Sequence, residues 1–182
     1  MAHILQISWA LLLLAACGPA ERGGLVVQTS PYSLRGETIL IEHFEFNPVA
    51  AQRVDPAAVK ELGELMAMDI QRSLKESGFQ KAIVIGPGEK VEGGVLLTGR
   101  IVRVDGGSAW QRRLFEIFGV GATEVKVAGE MANLPDSTAP LGFFFAKRSH
   151  YSWEGNEAAI RRNIREIARD VVREVLRTQD RR

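Results

Sequence analysis

"TEVKVAGEMAN", residues 123–133, alternates with a period of two. Val125, Val127, Gly129 and Met131 fall on one side, and Glu124, Lys126 and Glu130 on the other. Successive side chains of a strand point to opposite faces, so the pattern predicts a strand with one buried and one wet face, the habit of antiparallel sheets. Its neighbours in sequence extend the reading. "LGFFFAKRSHYSW" (141–153) makes a following strand, joined through "LPDSTAP" (134–140), whose prolines and Asp136 fit a turn. Upstream, "GVLLTGRIVRVD" (94–105) is another strand, with a bulge expected at Gly99, where the alternation slips. "KAIVIG" (81–86) is a short buried strand, and "TILIEHFEF" (38–46) is rich in β-branched and aromatic residues.

Two helices complete the pattern. Asp55 and Pro56 fit the N-cap and first helical position of one, in which Val59, Leu62, Met66, Ile70 and Leu74 make an apolar stripe. Gly78 ends it, with Phe79 set to pack back on the last turn as in a Schellman stop. Asn156 caps the other, where Ile160, Ile164, Ile167, Ala168, Val171, Val172, Val175 and Leu176 share one face and arginines and glutamates the other. The order β-α-β-β-β-β-α predicts an α+β fold: a mostly antiparallel sheet of about five strands with two helices packed on one face. Residues 37–182 are expected to form this single domain.

Composition narrows the function classes. The 182 residues are 25% charged and 46% hydrophobic, enough to bury a core. A net charge of +1, from 23 basic and 22 acidic residues, gives no electrostatic case for nucleic acid. The one cysteine, Cys17, excludes an intrachain disulfide and a cysteine-based metal cluster, and only His3, His43 and His150 remain as imidazole ligands. No metal and no dissociable cofactor are expected.

The N-terminus is the strongest functional signal. "MAHILQISWALLLLAACG" carries an apolar run from about Ile4 to Ala16. That is shorter than the roughly 20 residues a membrane-spanning helix needs, and it has the length of a secretory signal core. Residues 1–16 read as a signal peptide. Residues 17–36, with five glycines or prolines before Tyr32, read as a tether. At roughly 3.5 Å per residue it would hold the domain up to about 70 Å from the membrane. A short edge strand over Leu25–Val27 is the one element expected within it.

Leu14-Ala15-Ala16-Cys17 resembles a bacterial lipobox. That resemblance implies cleavage before Cys17 and acylation of its new N-terminus, and Gly18 in place of Asp implies sorting to the outer membrane. Several acyl chains anchor more firmly than one, each buried CH₂ contributing about 0.8 kcal/mol. The lipobox, the block "LTGRIVRVDGG…GVGATEVKVAGEMANLPDS" and the terminal amphipathic helix together resemble small bacterial lipoproteins known as a domain of unknown function. That group is similar in shape to the periplasmic domain of the curli-secretion lipoprotein and to the N-terminal domain of the Tol translocation protein. The likeness covers roughly Glu37–Leu176. The chain keeps the family's Gly119, Gly121 and Asp136 but has Thr138-Ala139-Pro140 where Thr-Gly is common. The resemblance implies an accessory or assembly part of the cell envelope, facing the periplasm.

Candidate chemistry is sparse. "IVIGPGEK" (83–90) lacks the spacing, the Ser/Thr and the following helix of a phosphate loop, so it reads as a plain turn. Ser149 and His150 point to opposite faces of a strand and cannot pair side chain to side chain. Glu42 and Glu45 also face opposite ways, and His43 reads as a core or rim histidine beside Ile39 and Ile41. No catalytic residue is expected, and the chain is read as a non-enzyme.

"SAWQRRLFEIFGVGAT" (108–123) is different. On a helix, Trp110, Leu114, Phe118 and Ile117 share one face, with Arg112, Arg113 and Glu116 toward the other, and Phe115 is a further contact candidate. Three readings stand: a short helix completing the core, a surface for an envelope protein partner, and a membrane-interface contact. The function expected is therefore a lipid-anchored binding module. The rival reading is a lipid or small-molecule carrier, with an envelope hydrolase behind it. A pocket lined by converging polar groups would favour the rival, and a filled core with an exposed aromatic patch the binding module.

Overall fold

The computed structural model describes residues 23–28, 33–46, 51–52, 54, 61–89, 91–107, 122–135, 140–150 and 156–177. Among them are strands β1 (Gly23–Gln28), β2 (Ile39–Glu42), β3 (Glu45–Phe46), β4 (Ala51–Gln52), β5 (Ala82–Ile85), β6 (Gly94–Asp105), β7 (Thr123–Leu134) and β8 (Pro140–His150). The helices are α1 (Leu62–Glu76) and α2 (Asn156–Arg177). The expected opening of the first helix at Asp55–Pro56, with Val59, lies outside the described residues.

All the strands form one sheet in the order β1-β8-β7-β6-β2-β5, with β3 and β4 also paired to β6. The β6–β7 and β7–β8 pairs are long antiparallel ladders, as the alternation of residues 123–133 requires. The expectation of about five mostly antiparallel strands needs two corrections. First, β2 runs parallel to both β5 and β6, because α1 carries the chain from β2 across one face and back to a parallel neighbour. β2, β3 and β4 lie successively along β6 at Val95–Leu97, Arg100–Ile101 and Val104–Asp105, so they act as one interrupted parallel strand. Second, β1 pairs antiparallel with β8 over Gly23–Gln28, so the segment read as tether contributes a sheet edge longer than Leu25–Val27. Leu34, in the same segment, is buried in the core.

The first interruption is at His43-Phe44. The Phe44 N–H turns to the Gly63 carbonyl of α1 (3.2 Å), and the Phe44 ring lies over Gly99. Gly99 pairs with Gly129 across the ladder, and a Cβ on Gly129 would run into the Phe144 ring and the Thr98 carbonyl. The two rings pack together with centroids 6.1 Å apart and planes tilted by 45°. Gly99 is therefore no bulge. The register slips between Ile101 and Arg103 instead, and Val102 points outward, 44% exposed. Two glycines make room for two phenylalanines, and the strand continues through them.

Both helices cover the face that carries Val95, Leu97, Ile101, Val104, Val125, Val127, Met131, Phe144 and Ala146. α1 packs over the β2–β5 end and α2 over β1, β7 and β8. The stripes read from sequence form the core: Leu62, Met66, Ile70 and Leu74 from α1, and Ile160, Ile164, Ile167, Ala168, Val171, Val172 and Val175 from α2. α1 ends as expected. Gly78 has φ +96°, its N–H bonds the Lys75 carbonyl (3.0 Å), and the Phe79 N–H reaches back to Leu74 (3.0 Å).

Candidate functional site

The two faces of the β6-β7-β8 ladder carry different chemistry. On the helix side, Arg148 Nε donates to Asp170 Oδ2 of α2 at 2.7 Å, and Arg148 Nη2 meets the same oxygen. Arg173 takes the other oxygen, Oδ1, at 3.0 Å. Farther along, Asn163 Nδ2 donates to Thr123 Oγ1 at 3.0 Å. The Arg148–Asp170 and Asn163–Thr123 contacts seat α2 on the sheet and are buried or nearly so, whereas Arg173, on α2 itself, is exposed.

No described helix crosses the opposite face. There Glu124 lies at the centre of three cations. Lys147 Nζ is 2.8 Å, Lys126 Nζ 3.4 Å and Arg103 Nε 3.5 Å from its carboxylate. Burial alone would raise the Glu124 pKa. The Lys147 hydrogen bond and the charges of Lys126, Lys147 and Arg103 outweigh it and hold the carboxyl below its ordinary 4.5. Beside this cluster the alternation puts Phe143, Phe145 and Ala128 on the same outer face, all half-buried. The result is an aromatic strip bordered by an interlocked charge cluster.

This cluster marks the sheet end from which residues 108–121 leave and to which they return, since Asp105 of β6 and Glu124 of β7 are cross-strand partners. The candidate contact residues Trp110, Arg112, Arg113, Leu114, Phe115 and Phe118 lie outside the described residues, as does Cys17. The sequence pattern assigns Phe143 and Phe145 to a strand and gives them no functional role. The outward parity of "GFFFAK" was the signal available for them.

The other sequence candidates separate as expected. Ser149 is exposed on the outer side, whereas His150 pairs with Thr123 on the inner. Glu42 accepts from the Gly88 N–H (3.2 Å) and makes no pair with Glu45. Gly86–Glu89 is a tight turn, closed by the Glu89 N–H on the Gly86 carbonyl (3.2 Å) and by Glu89 Oε2 on the Gly86 N–H (2.9 Å). Among the described residues, no group of three His, Cys, Asp or Glu side chains is placed to hold a metal, and no helix is long and apolar enough to cross a membrane.

A second feature lies on the solvent side of the helices. α1 and α2 run parallel, with Glu61 beside Arg161 (3.4 Å) at one end, and an open groove of about 470 Å³ separates their C-terminal halves. Above it, Asp69 is only 4% exposed and accepts from Arg72 at 2.9 Å, while its Oδ2 has no hydrogen-bond partner. Burial pushes its carboxyl above the ordinary 3.8, and the charges of Arg72, Arg165 and Arg169 offset this only in part.

Comparison with solved structures places the fold. The chain is similar to PelC from Paraburkholderia phytofirmans, solved as a dodecamer, with 16% identity and a TM-score of 0.52 over 81% of this chain and 96% of that one. A single-substitution variant of the same protein superposes with a TM-score of 0.50. A DUF330 protein from Xanthomonas campestris gives 0.48 at 12% identity, over 86% of this chain and 93% of that one. Among curated proteins, no relative matches. The profile of a domain of unknown function, DUF4410, matches residues 36–160. That span contains α1, every strand from β2 to β8 and the start of α2, and the chain belongs to the DUF4410 family.

Proposed function

We propose that this chain is a lipid-anchored envelope protein, acylated at Cys17 after loss of residues 1–16, whose domain serves as a binding module rather than an enzyme. The observation that carries the reading is the outer face of β6-β7-β8. It holds an aromatic strip from Phe143 and Phe145 beside the Glu124 charge cluster, on the side of the sheet away from both described helices. Aromatic residues and arginine are the types enriched at contact hot spots. The stretch from Trp110 to Phe118 lies between β6 and β7 in sequence and is carried into the same test. The partner is another envelope component. A second copy of this chain is one candidate, because the PelC neighbour of this fold is a dodecamer. The carrier reading is less favoured, because the sheet–helix interior is filled by side chains and the groove lies outside it.

Photo-crosslinking in cells from positions 110, 118, 143 and 145 tests the surface. A discrete protein adduct from at least one of positions 143 and 145 is expected. Unchanged migration from all four, with the protein folded, would refute the reading. Cys17→Ala tests the anchor separately: the protein should leave the membrane fraction, and continued membrane association would defeat the lipoprotein claim.

A further inference from the structure

The groove between the C-terminal halves of α1 and α2 has a wall, a floor and an excess of positive charge. Arg169 and Arg173, one turn apart on α2, line one side, Ser73 and Ser77, one turn apart on α1, line the other, and Val172 and Leu176 supply the apolar part. The charge excess comes from how the neighbouring carboxylates are shared. Asp170 is held by two guanidinium groups, Arg148 and Arg173, so one acid meets two cations. Asp69 already accepts from Arg72, and Arg169 acts on it only through its charge. Glu76 is the one acid on the groove, and it sits exposed at the rim.

A helix C-terminus ordinarily repels anions, through its unsatisfied carbonyls. On α1 that end is capped. The Ser73, Leu74 and Lys75 carbonyls accept from the N–H groups of Ser77, Phe79 and Gly78, and the Ser77 hydroxyl adds a bond to Ser73 O at 2.8 Å. Three carbonyls of that end are therefore already occupied. Asp170 also holds the Arg173 guanidinium in place before any ligand arrives.

We propose that this groove binds a phosphate group, with the non-polar part of the ligand lying on Val172 and Leu176. Guanidinium pairs match the oxygens of a phosphate by bidentate hydrogen bonds, and the Ser73 hydroxyl can donate to one that remains. An apolar floor next to a basic wall suits a glycerophosphate, whether as a soluble ester or as the headgroup of an anionic phospholipid. The site lies on the far side of the molecule from the proposed protein-contact face and does not depend on it.

The test uses the full chain in dodecyl maltoside micelles, which contain no phosphate. One arm titrates sn-glycerol 3-phosphate by calorimetry, and the other dopes the micelles with dioleoylphosphatidylglycerol and follows ³¹P line broadening. Saturable binding in the first arm assigns a soluble phosphate ester, and broadening in the second arm alone assigns a lipid headgroup. In either case Arg169→Glu should weaken binding at least tenfold. A comparable loss with Arg169→Gln, which adds no acid beside Asp69, with the melting temperature of both variants measured, separates loss of the anion site from loss of the fold. Arg169→Lys, which keeps the charge but loses the fork, should fall between. Binding in neither arm, or equal binding by wild type and Arg169→Glu, would overturn the proposal.

Discussion

The two faces of the β6-β7-β8 ladder are built from alternate residues of the same strands, yet they are held by different physics. The helix-side face is fixed by shape: Gly99 and Gly129 leave gaps that the Phe44 and Phe144 rings fill. The open face is fixed by charge, through one glutamate shared among three cations. Shape tolerates little change, whereas exposed charge tolerates much. The face that specifies the fold is thus separated from the face free to acquire a partner.

The largest expected effect probes the shaped face. Phe144→Ala removes the ring packed on Phe44 and Gly129 and should cost about 3–5 kcal/mol, read by urea denaturation. Gly129→Ala tests the same fit from the other side. Its methyl meets the Phe144 ring and the Thr98 carbonyl, so a loss of about 1–3 kcal/mol is expected, and a neutral result would show that the aromatic pair can shift.

The charged face should respond less and with pH. Each exposed or half-exposed ion pair contributes about 0.2–1 kcal/mol, so Glu124→Gln should cost on the order of 1 kcal/mol at pH 7. Because the folded pKa of Glu124 is depressed, its contribution is present above the ordinary carboxylate range and is lost as pH falls through the folded value. The gap between wild type and variant should close in acid, as melting curves at several pH values will show.

Asp69 supplies the opposite sign. Its folded pKa is raised, so the ionised form weakens the fold at neutral pH, and that penalty disappears as pH falls below the folded value. Asp69→Asn should be slightly more stable than wild type at pH 7, by on the order of 0.5 kcal/mol after loss of the Arg72 bridge, with the advantage vanishing in acid. A variant destabilised at pH 7 would mean that the bridge outweighs the desolvation.

What was legible in the sequence follows from range. The buried side of β7 and the stripes of α1 and α2 are set by local period, and they are where the period puts them. The Schellman stop at Gly78-Phe79 is also local. The parallel pairing of β2 was not legible, because "TILIEHFEF" states which residues are buried but not which strand lies beside them. Gly99 misled for a related reason. A glycine in a strand marks either a bulge or a close approach, and only the distant Phe44 decides between them. The outer-face placement of Phe143 and Phe145 was obscured because "GFFFA" puts aromatics on both faces, and parity alone does not reveal which face the helices cover. At the groove, the i,i+4 arginines of α2 were visible as a polar face, but their meeting with Ser73 and Ser77 depends on two helices far apart in sequence packing in parallel.

With Cys17 acylated, as proposed, the edge strand β1 would set the altitude of the molecule. With Gly23 already paired to Lys147, only six peptide steps separate Cys17 from the sheet. At roughly 3.5 Å per step, an acylated Cys17 would hold the sheet edge within about 20 Å of the lipid surface rather than on a leash of about 70 Å. A domain so closely moored would sweep a thin layer above the bilayer. The components within its reach would be those embedded in the membrane or standing directly on it.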